Sequence, residues 1–175
     1  MKFIFGLIGT IIFTLLILGT VAHAAGQLAG GDFMQAFNNT TQSGTWGDPV
    51  SAQPGEVIEF RITARNEGDQ PLEHVQISGS TTGQVPPGPS QSLVITGRIS
   101  AGASELTDTA TVNITGGSEQ GMTYAAGHAR LNGVTNLYNC PSTCNIGDGV
   151  LGGIEVGTIQ PNDFVEVTFK AFVTN

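Results

Sequence analysis

Positively charged side chains are scarce in this chain of 175 residues, which holds 6 lysines and arginines against 14 aspartates and glutamates. The formal net charge of −8 becomes −9 if Lys2 is removed with an N-terminal leader. The remaining cations are scattered along the sequence, at Arg61, Arg65, Arg98, Arg130 and Lys170. Nucleic acids and anionic lipids are bound through clustered positive charge, so we expect neither as a partner. An acidic, solvated exterior is the simpler interpretation.

Cysteine is equally scarce, with 2 residues that both fall in the stretch Cys140-Pro-Ser-Thr-Cys144. In an exported protein, two cysteines this close in a loop are most simply joined as a disulfide. A zinc site would need two further ligands, and only His128 lies near the pair in sequence. A redox motif more often has two intervening residues at the start of a helix. We therefore predict a structural disulfide between Cys140 and Cys144, and no metal.

Residues that would mark a catalytic site are missing as well. Of the 3 histidines, only His74 and His128 lie beyond the leader. His74 falls on the polar side of a predicted strand and is expected to be exposed. No serine stands in a nucleophile motif, and no pair of carboxylates is singled out. Asp148-Gly149 resembles a turn, because a calcium loop needs several acidic residues at alternate positions. We predict that the protein is not an enzyme and uses no cofactor.

The sequence does contain strand-forming alternation, which is clearest from Pro54 to Gly68. One parity of this segment is apolar and the other is charged or polar; the apolar positions are Ile58, Phe60, Ile62 and Ala64. Side chains alternate between the two faces of a strand, so the pattern predicts a half-buried β-strand with its charged face in water. Turn residues flank it on both sides. We expect it to form one wall of a sandwich.

The N-terminus carries a long apolar run after Lys2, followed by Ala22-His23-Ala24. This arrangement predicts a secretory signal peptide, residues 1–24, that is cleaved before Ala25. The run is also close to the length of a spanning helix, so an uncleaved leader that tethers the protein to the membrane is the alternative. Residues 25–45 are expected to form an N-terminal lead-in, and residues 46–175 one domain.

Further alternating segments predict the other strands. Val75 and Ile77 predict a strand that pairs with the central one as an antiparallel hairpin across residues 66–71. A strand around Gly97 is expected to hold a β-bulge. Other strands are predicted around Met34, Val112, Tyr124 and Val167, the first of them at a sheet edge. Together these signals predict an all-β fold, an antiparallel sandwich of about seven to nine strands preceded by the leader helix.

Aromatic residues make up 7% of the chain and include a single tryptophan, Trp46. Its simplest role is that of an apolar plug over one end of the core. The alternative is an exposed platform on which a sugar ring stacks. Tyr124 and Tyr138 offer two further stacking faces for the same purpose.

The segment around the central strand begins with Pro54-Gly55, continues as a strand that ends in Thr63-x-x-Asn66-x-Gly68, and is followed by a second strand. This order of motifs resembles a bacterial conserved-repeat domain, the domain of unknown function eleven.

The resemblance continues towards the C-terminus. Residues 122–133 are similar to the family's Tyr-x-x-Gly-Ser segment, and residues 154–173 to its closing strand. Pro161-Asn162 stands where the family usually has Pro-Gly, and Asn tolerates the left-handed conformation of that Gly. The family's Asp-x-Leu-Pro segment is missing, and residues 79–121 replace it with extra strands.

The resemblance implies an immunoglobulin-like sandwich on secreted or surface-displayed bacterial proteins, with adhesive or envelope roles and no catalytic residues. We therefore expect a non-catalytic structural or adhesive module that contacts other cell-surface proteins or envelope polysaccharide. A carbohydrate-binding module that uses exposed aromatics is the alternative. The membrane would be contacted only through an uncleaved leader.

Overall fold

A computed structural model describes residues 25–42, 44–81, 90–116, 121–125, 128–133, 135–136 and 153–174. The predicted leader and four residues singled out above lie outside these ranges, namely Tyr138, Cys140, Cys144 and Asp148. Within the ranges the chain forms strands and turns without a helix, so the all-β prediction is confirmed. This part of the chain accordingly has no helix long and apolar enough to cross a membrane.

The described ranges contain eleven strands, more than the seven to nine expected. Three of them, β2, β8 and β9, are only two or three residues long, which is too short to show alternation in the sequence. The strands are β1 (Met34–Asn38), β2 (Val50–Ala52), β3 (Val57–Arg65), β4 (Leu72–Thr81), β5 (Ser90–Ala101), β6 (Ser104–Thr115), β7 (Gly121–Tyr124), β8 (Arg130–Leu131), β9 (Thr135–Asn136), β10 (Ile154–Ile159) and β11 (Phe164–Thr174).

The strands form two sheets around one shared core, which makes the molecule a β-sandwich. Sheet I has six strands in the order β1-β3-β11-β8-β9, with β7 also paired to β11. Sheet II has five strands in the order β10-β4-β5-β6-β2. All of these pairs are antiparallel except β2 with β6, which run parallel.

The central strand is β3, and it lies inside sheet I between β1 and β11. Ile58, Phe60, Ile62 and Ala64 are each 0% exposed, as the alternation predicted. The ring of Phe60 stacks on that of Phe169 in β11, with centroids 5.2 Å apart. Full burial of a large apolar side chain contributes about 1.5–3 kcal/mol, so this strand supplies much of the driving force for folding.

β1 forms the edge of sheet I, as predicted, and it draws part of the lead-in into the sandwich. Leu28, Phe33 and Met34 are all buried in the common core. The backbone N–H groups of Phe33 and Met34 donate to one carboxylate oxygen of Asp108 in β6, at 2.8 and 2.9 Å. This carboxylate therefore ties the start of the edge strand to the opposite sheet.

The predicted hairpin between β3 and β4 is wrong, because the two strands lie in different sheets. Val75 and Ile77 of β4 are fully buried, but the neighbours of β4 are β5 and β10. Residues 66–71 therefore cross from one sheet to the other. Alternation shows only which side of a strand is buried. Strands of both sheets bury one side in the shared core. The pattern cannot distinguish a hairpin partner from a strand of the facing sheet.

The predicted bulge at Gly97 is also wrong, since every residue of β5 pairs in step with β6. A close approach between the sheets explains the glycine instead. A Cβ added at Gly97 would lie 2.5 Å from Sδ of Met34 and 3.3 Å from Cδ1 of Ile62, both in sheet I. Atoms that close repel each other, so the missing side chain allows the two sheets to meet here.

Asn66 lies at the crossing between the sheets, and its buried side chain makes four hydrogen bonds. Oδ1 accepts from the backbone N–H of Gln27 at 3.2 Å and of Gly68 at 2.9 Å. Nδ2 donates to the backbone carbonyls of Gln70 at 2.7 Å and Ile159 at 3.0 Å. A buried amide is stable only when it is bonded in this way. Asn66 thus fixes the lead-in, the crossing segment and the end of β10 relative to one another.

Gly68 and Asn162 also have structural reasons for their identity. A Cβ at Gly68 would lie 2.5 Å from the carbonyl oxygen of Ala25, so a larger residue would displace the lead-in. Asn162 has a φ of 61°, which is the left-handed conformation expected of it. Its backbone N–H donates to the carbonyl of Asn66 at 2.9 Å.

Candidate functional site

On β1, β3 and β11, the residues that alternate with the buried ones form the face of sheet I that is turned away from the core. Because these strands are in register, outward residues form rows across the sheet, and one row contains Gln35, Arg61 and Thr168. We call this surface the outer face of sheet I. It is formed by Gln35, Phe37, Val57, Glu59, Arg61, Thr63, Arg65, Phe164, Glu166, Thr168, Lys170 and Phe172. Of these, Thr168 is covered by its neighbours and buried.

Trp46 lies on this outer face, so the expectation of an apolar plug at the end of the core is wrong. The Arg61 guanidinium carbon lies 4.5 Å from the centroid of the indole ring, and the ring of Phe37 lies 5.7 Å from it. Gly47, the next residue, exchanges two backbone hydrogen bonds with Ala36 and so holds the tryptophan against the edge of β1. The indole is half-buried, which leaves part of it accessible to another molecule.

The cations are gathered rather than scattered in space, and this corrects the sequence-based expectation. Four of the five that lie beyond the leader belong to strands of sheet I, namely Arg61, Arg65, Arg130 and Lys170. Arg61 lies 3.6 Å from Glu166, and Lys170 lies 3.6 Å from Glu59. In these two ion pairs, the side chains of both arginine or lysine and glutamate are only 20–27% exposed, so the attraction within each pair is screened less than in fully solvated pairs. The register of β3 with β11 places the two partners of each ion pair close together. That nucleic acid is not a partner stays a prediction.

Two phenylalanines of the outer face are exposed, one at each end of β11. Phe164 is 47% exposed and Phe172 is 43% exposed. Arg65 lies directly opposite Phe164 in the ladder, with its guanidinium carbon 5.6 Å from the ring centroid. The outer face therefore combines accessible apolar area with an exposed cation, a composition typical of contact surfaces.

The other predicted stacking residues lie elsewhere. Tyr124 belongs to β7, pairs with Ala171 of β11 and is half-buried against the core. Since Ala171 faces the core, Tyr124 is directed away from the outer face of sheet I. Tyr138 falls in a part of the chain that the structure does not describe. Sequence reasoning missed Arg61, Arg65 and Phe164, whose only signal was their outward parity on two strands.

Sheet II carries the exposed His74, as predicted from its polar parity. Its Nδ1 lies 3.0 Å from a carboxylate oxygen of Glu155. This hydrogen bond and the charge of Glu155 raise the pKa of His74 above its ordinary value of 6.5, and the charge of Glu73 adds to the effect. A shallow groove of ≈ 330 Å³ is lined by Glu73 and His74, together with residues of the lead-in and of the turn after β5. Among the residues that the structure describes, no group of three or more histidine, cysteine or acidic side chains is placed to hold a metal ion.

Comparison with known protein families, with curated proteins and with solved structures gave no match for this chain.

Proposed function

We propose that this protein is a non-catalytic, immunoglobulin-like module of a bacterial envelope, exported from the cell and either structural or adhesive in role. Its contacts are made through the outer face of sheet I. The observation that carries this proposal is the combination on one face of two exposed phenylalanines and a tryptophan-covered arginine. On a chain whose net charge is −8, this face joins exposed apolar area to three cations, Arg61, Arg65 and Lys170.

The topology supports the immunoglobulin-like part of the proposal. β3 and β4 are consecutive in sequence yet lie in facing sheets, as happens in sandwiches with Greek-key connections. Asn66, Gly68 and Asn162, which match or replace residues of the conserved-repeat pattern, meet at one end of the sandwich. The resemblance thus rests on residues with structural roles at a shared junction.

Carbohydrate binding is the second candidate, and Trp46 favours it. A partly accessible indole offers a flat apolar surface to the C–H face of a sugar ring. Arg61 lies under the indole, and Gln35 and Glu166 lie beside Arg61, where they can exchange hydrogen bonds with sugar hydroxyls. Such a role is one form of adhesion, with polysaccharide as the partner in place of a protein.

Export is proposed from the leader, and the mass of the native protein tests it. We expect the protein recovered from its host to begin at Ala25, outside the cytoplasmic membrane. A mass that retains residues 1–24, found in the membrane fraction, would replace the secreted module with a tethered one.

Co-sedimentation with isolated cell envelopes tests the contact role. We expect the labelled mature protein to sediment with envelopes of its host, and the double variant Trp46→Ala, Phe164→Ala to lose most of this binding. The matched control is His74→Ala, which removes an exposed ring from sheet II and should bind as the unchanged protein does. An unchanged protein that stays in the supernatant would overturn the proposal.

A further inference from the structure

The two sheets of the sandwich carry charge of opposite sign. In the described ranges, the strands of sheet I hold four cations and two carboxylates, the latter being Glu59 and Glu166. The strands of sheet II hold one cation, Arg98, and four carboxylates, at Glu73, Glu105, Asp108 and Glu155. Two further carboxylates lie beside the outer face of sheet I, those of Asp32, which accepts from Gln35, and Asp163, which precedes Phe164. An anionic group is therefore attracted to an exposed cation of this face rather than to the face as a whole, and the strands of sheet II repel it.

The aromatic side chains of the same face are spread along one strand direction. Phe164 and Phe172 are eight positions apart in β11, which separates them by roughly 26 Å in an extended strand. The half-buried indole of Trp46 lies over the row of Arg61, which pairs with the middle of β11. One small ligand cannot touch both ends of this surface, but an extended chain that lies along β11 can.

Arg65 is the cation best placed to receive an anionic group. Arg61 and Lys170 are engaged by glutamates, whereas Arg65 is exposed and rests over the ring of Phe164. A guanidinium fork binds a planar carboxylate through two hydrogen bonds. The adjacent ring offers an apolar surface to the sugar that carries this carboxylate. A polyol-phosphate chain would satisfy the charge but has no ring to place on the phenylalanines.

We propose that the outer face of sheet I binds an extended polysaccharide of uronic acids, with Arg65 pairing to a carboxylate and Phe164 and Phe172 stacking on sugar rings. This rests on the proposed envelope-contact function and names the chemistry of its partner.

The experiment compares two polymers with one backbone, polygalacturonate and its carboxyl-reduced form, titrated into the mature protein. We expect the reduced polymer to bind at least about tenfold more weakly, equivalent to about 1.4 kcal/mol. Arg65→Gln and Phe164→Ala should each weaken polygalacturonate binding by a similar factor. Arg98→Gln, an exposed arginine of sheet II, is the matched control and should change nothing. Binding should also weaken as salt is raised.

Equal binding of the two polymers, or no effect of Arg65→Gln, would overturn the inference. The envelope assay separates this failure from that of the proposed function. A protein that sediments with envelopes but ignores polygalacturonate retains its contact role and loses the assigned ligand. Sedimentation abolished by protease treatment of the envelopes would identify a protein partner, which also overturns the inference. A protein that binds neither would refute both proposals.

Discussion

Replacing Gly97 with alanine tests the contact between the two sheets. The added methyl group would lie 2.5 Å from Sδ of Met34, and both Met34 and Ile62 beside it are 0% exposed. A fully buried methionine has little room to move aside, so we expect the overpacking to cost about 1–3 kcal/mol. For a domain of this size, each kcal/mol lowers the melting temperature by about 2–4 °C.

A double-mutant cycle of residues 34 and 97 isolates the contact between these two positions. Met34→Ala alone should cost about 2–5 kcal/mol, because it leaves a cavity between the sheets. In the double variant the new methyl group of residue 97 partly fills that cavity. We therefore expect the double variant to lose at least about 1 kcal/mol less than the sum of the two single costs.

Urea unfolding of the four proteins in the cycle provides the measurement. Gly30→Ala is the control, because a Cβ at Gly30 meets nothing within 4 Å, and it should change stability by less than about 0.5 kcal/mol. Additive costs in the cycle would refute a direct contact between residues 34 and 97. A harmless Gly97→Ala would refute the explanation given for the glycine.

The remaining predictions concern register, the disulfide and pH. Ile62→Asp should abolish folding because it buries an unpaired charge. Thr63→Asp, at a half-buried position on the outer face, should lower the free energy of unfolding far less. Similar melting temperatures for the two variants would contradict the register of β3. Cys140 and Cys144 should be unreactive to thiol labelling in native and denatured protein, and two free thiols would disprove the disulfide. The raised pKa of His74 should stabilise the fold below about pH 6.5 and cease to do so as pH rises through the folded pKa. Urea midpoints of the native protein and His74→Gln should therefore differ at pH 5.5 and converge at pH 8.5, and a constant difference would refute the linkage.

Alternation predicted the strands well, because it follows directly from burial. The apolar parities of β3, β4 and β11 are buried where the sequence placed them, at Ile62, Val75 and Val167 for example. Pairing could not be predicted in the same way, since β3 and β4 show the same alternation but lie in different sheets. The reason for Gly97 was equally hidden, because it depends on Met34, which is distant in sequence.

The candidate site was predicted only in part. Trp46 was singled out as the one tryptophan, but its position over Arg61 depends on the pairing of Gly47 with Ala36 at a sheet edge. The cluster of cations depends on the register of β11 with β3 and with β8. β3 and β11 are separated by about a hundred residues and must be aligned before such a surface exists. Composition alone cannot predict that alignment.

β1 and β11 run in the same direction on either side of β3, and this arrangement fixes how the sandwich resists a pulling force. Leu28 pairs with Asn66 at one end of β3, while Val173 bonds to Gly55 and Glu56 at the other. A force that draws residues 28 and 174 apart therefore slides β1 and β11 along β3 in opposite directions. The hydrogen bonds of both ladders lie across that direction, so they bear the load together instead of opening one at a time. We therefore expect the sandwich to resist a force applied between these two residues by shear of both ladders.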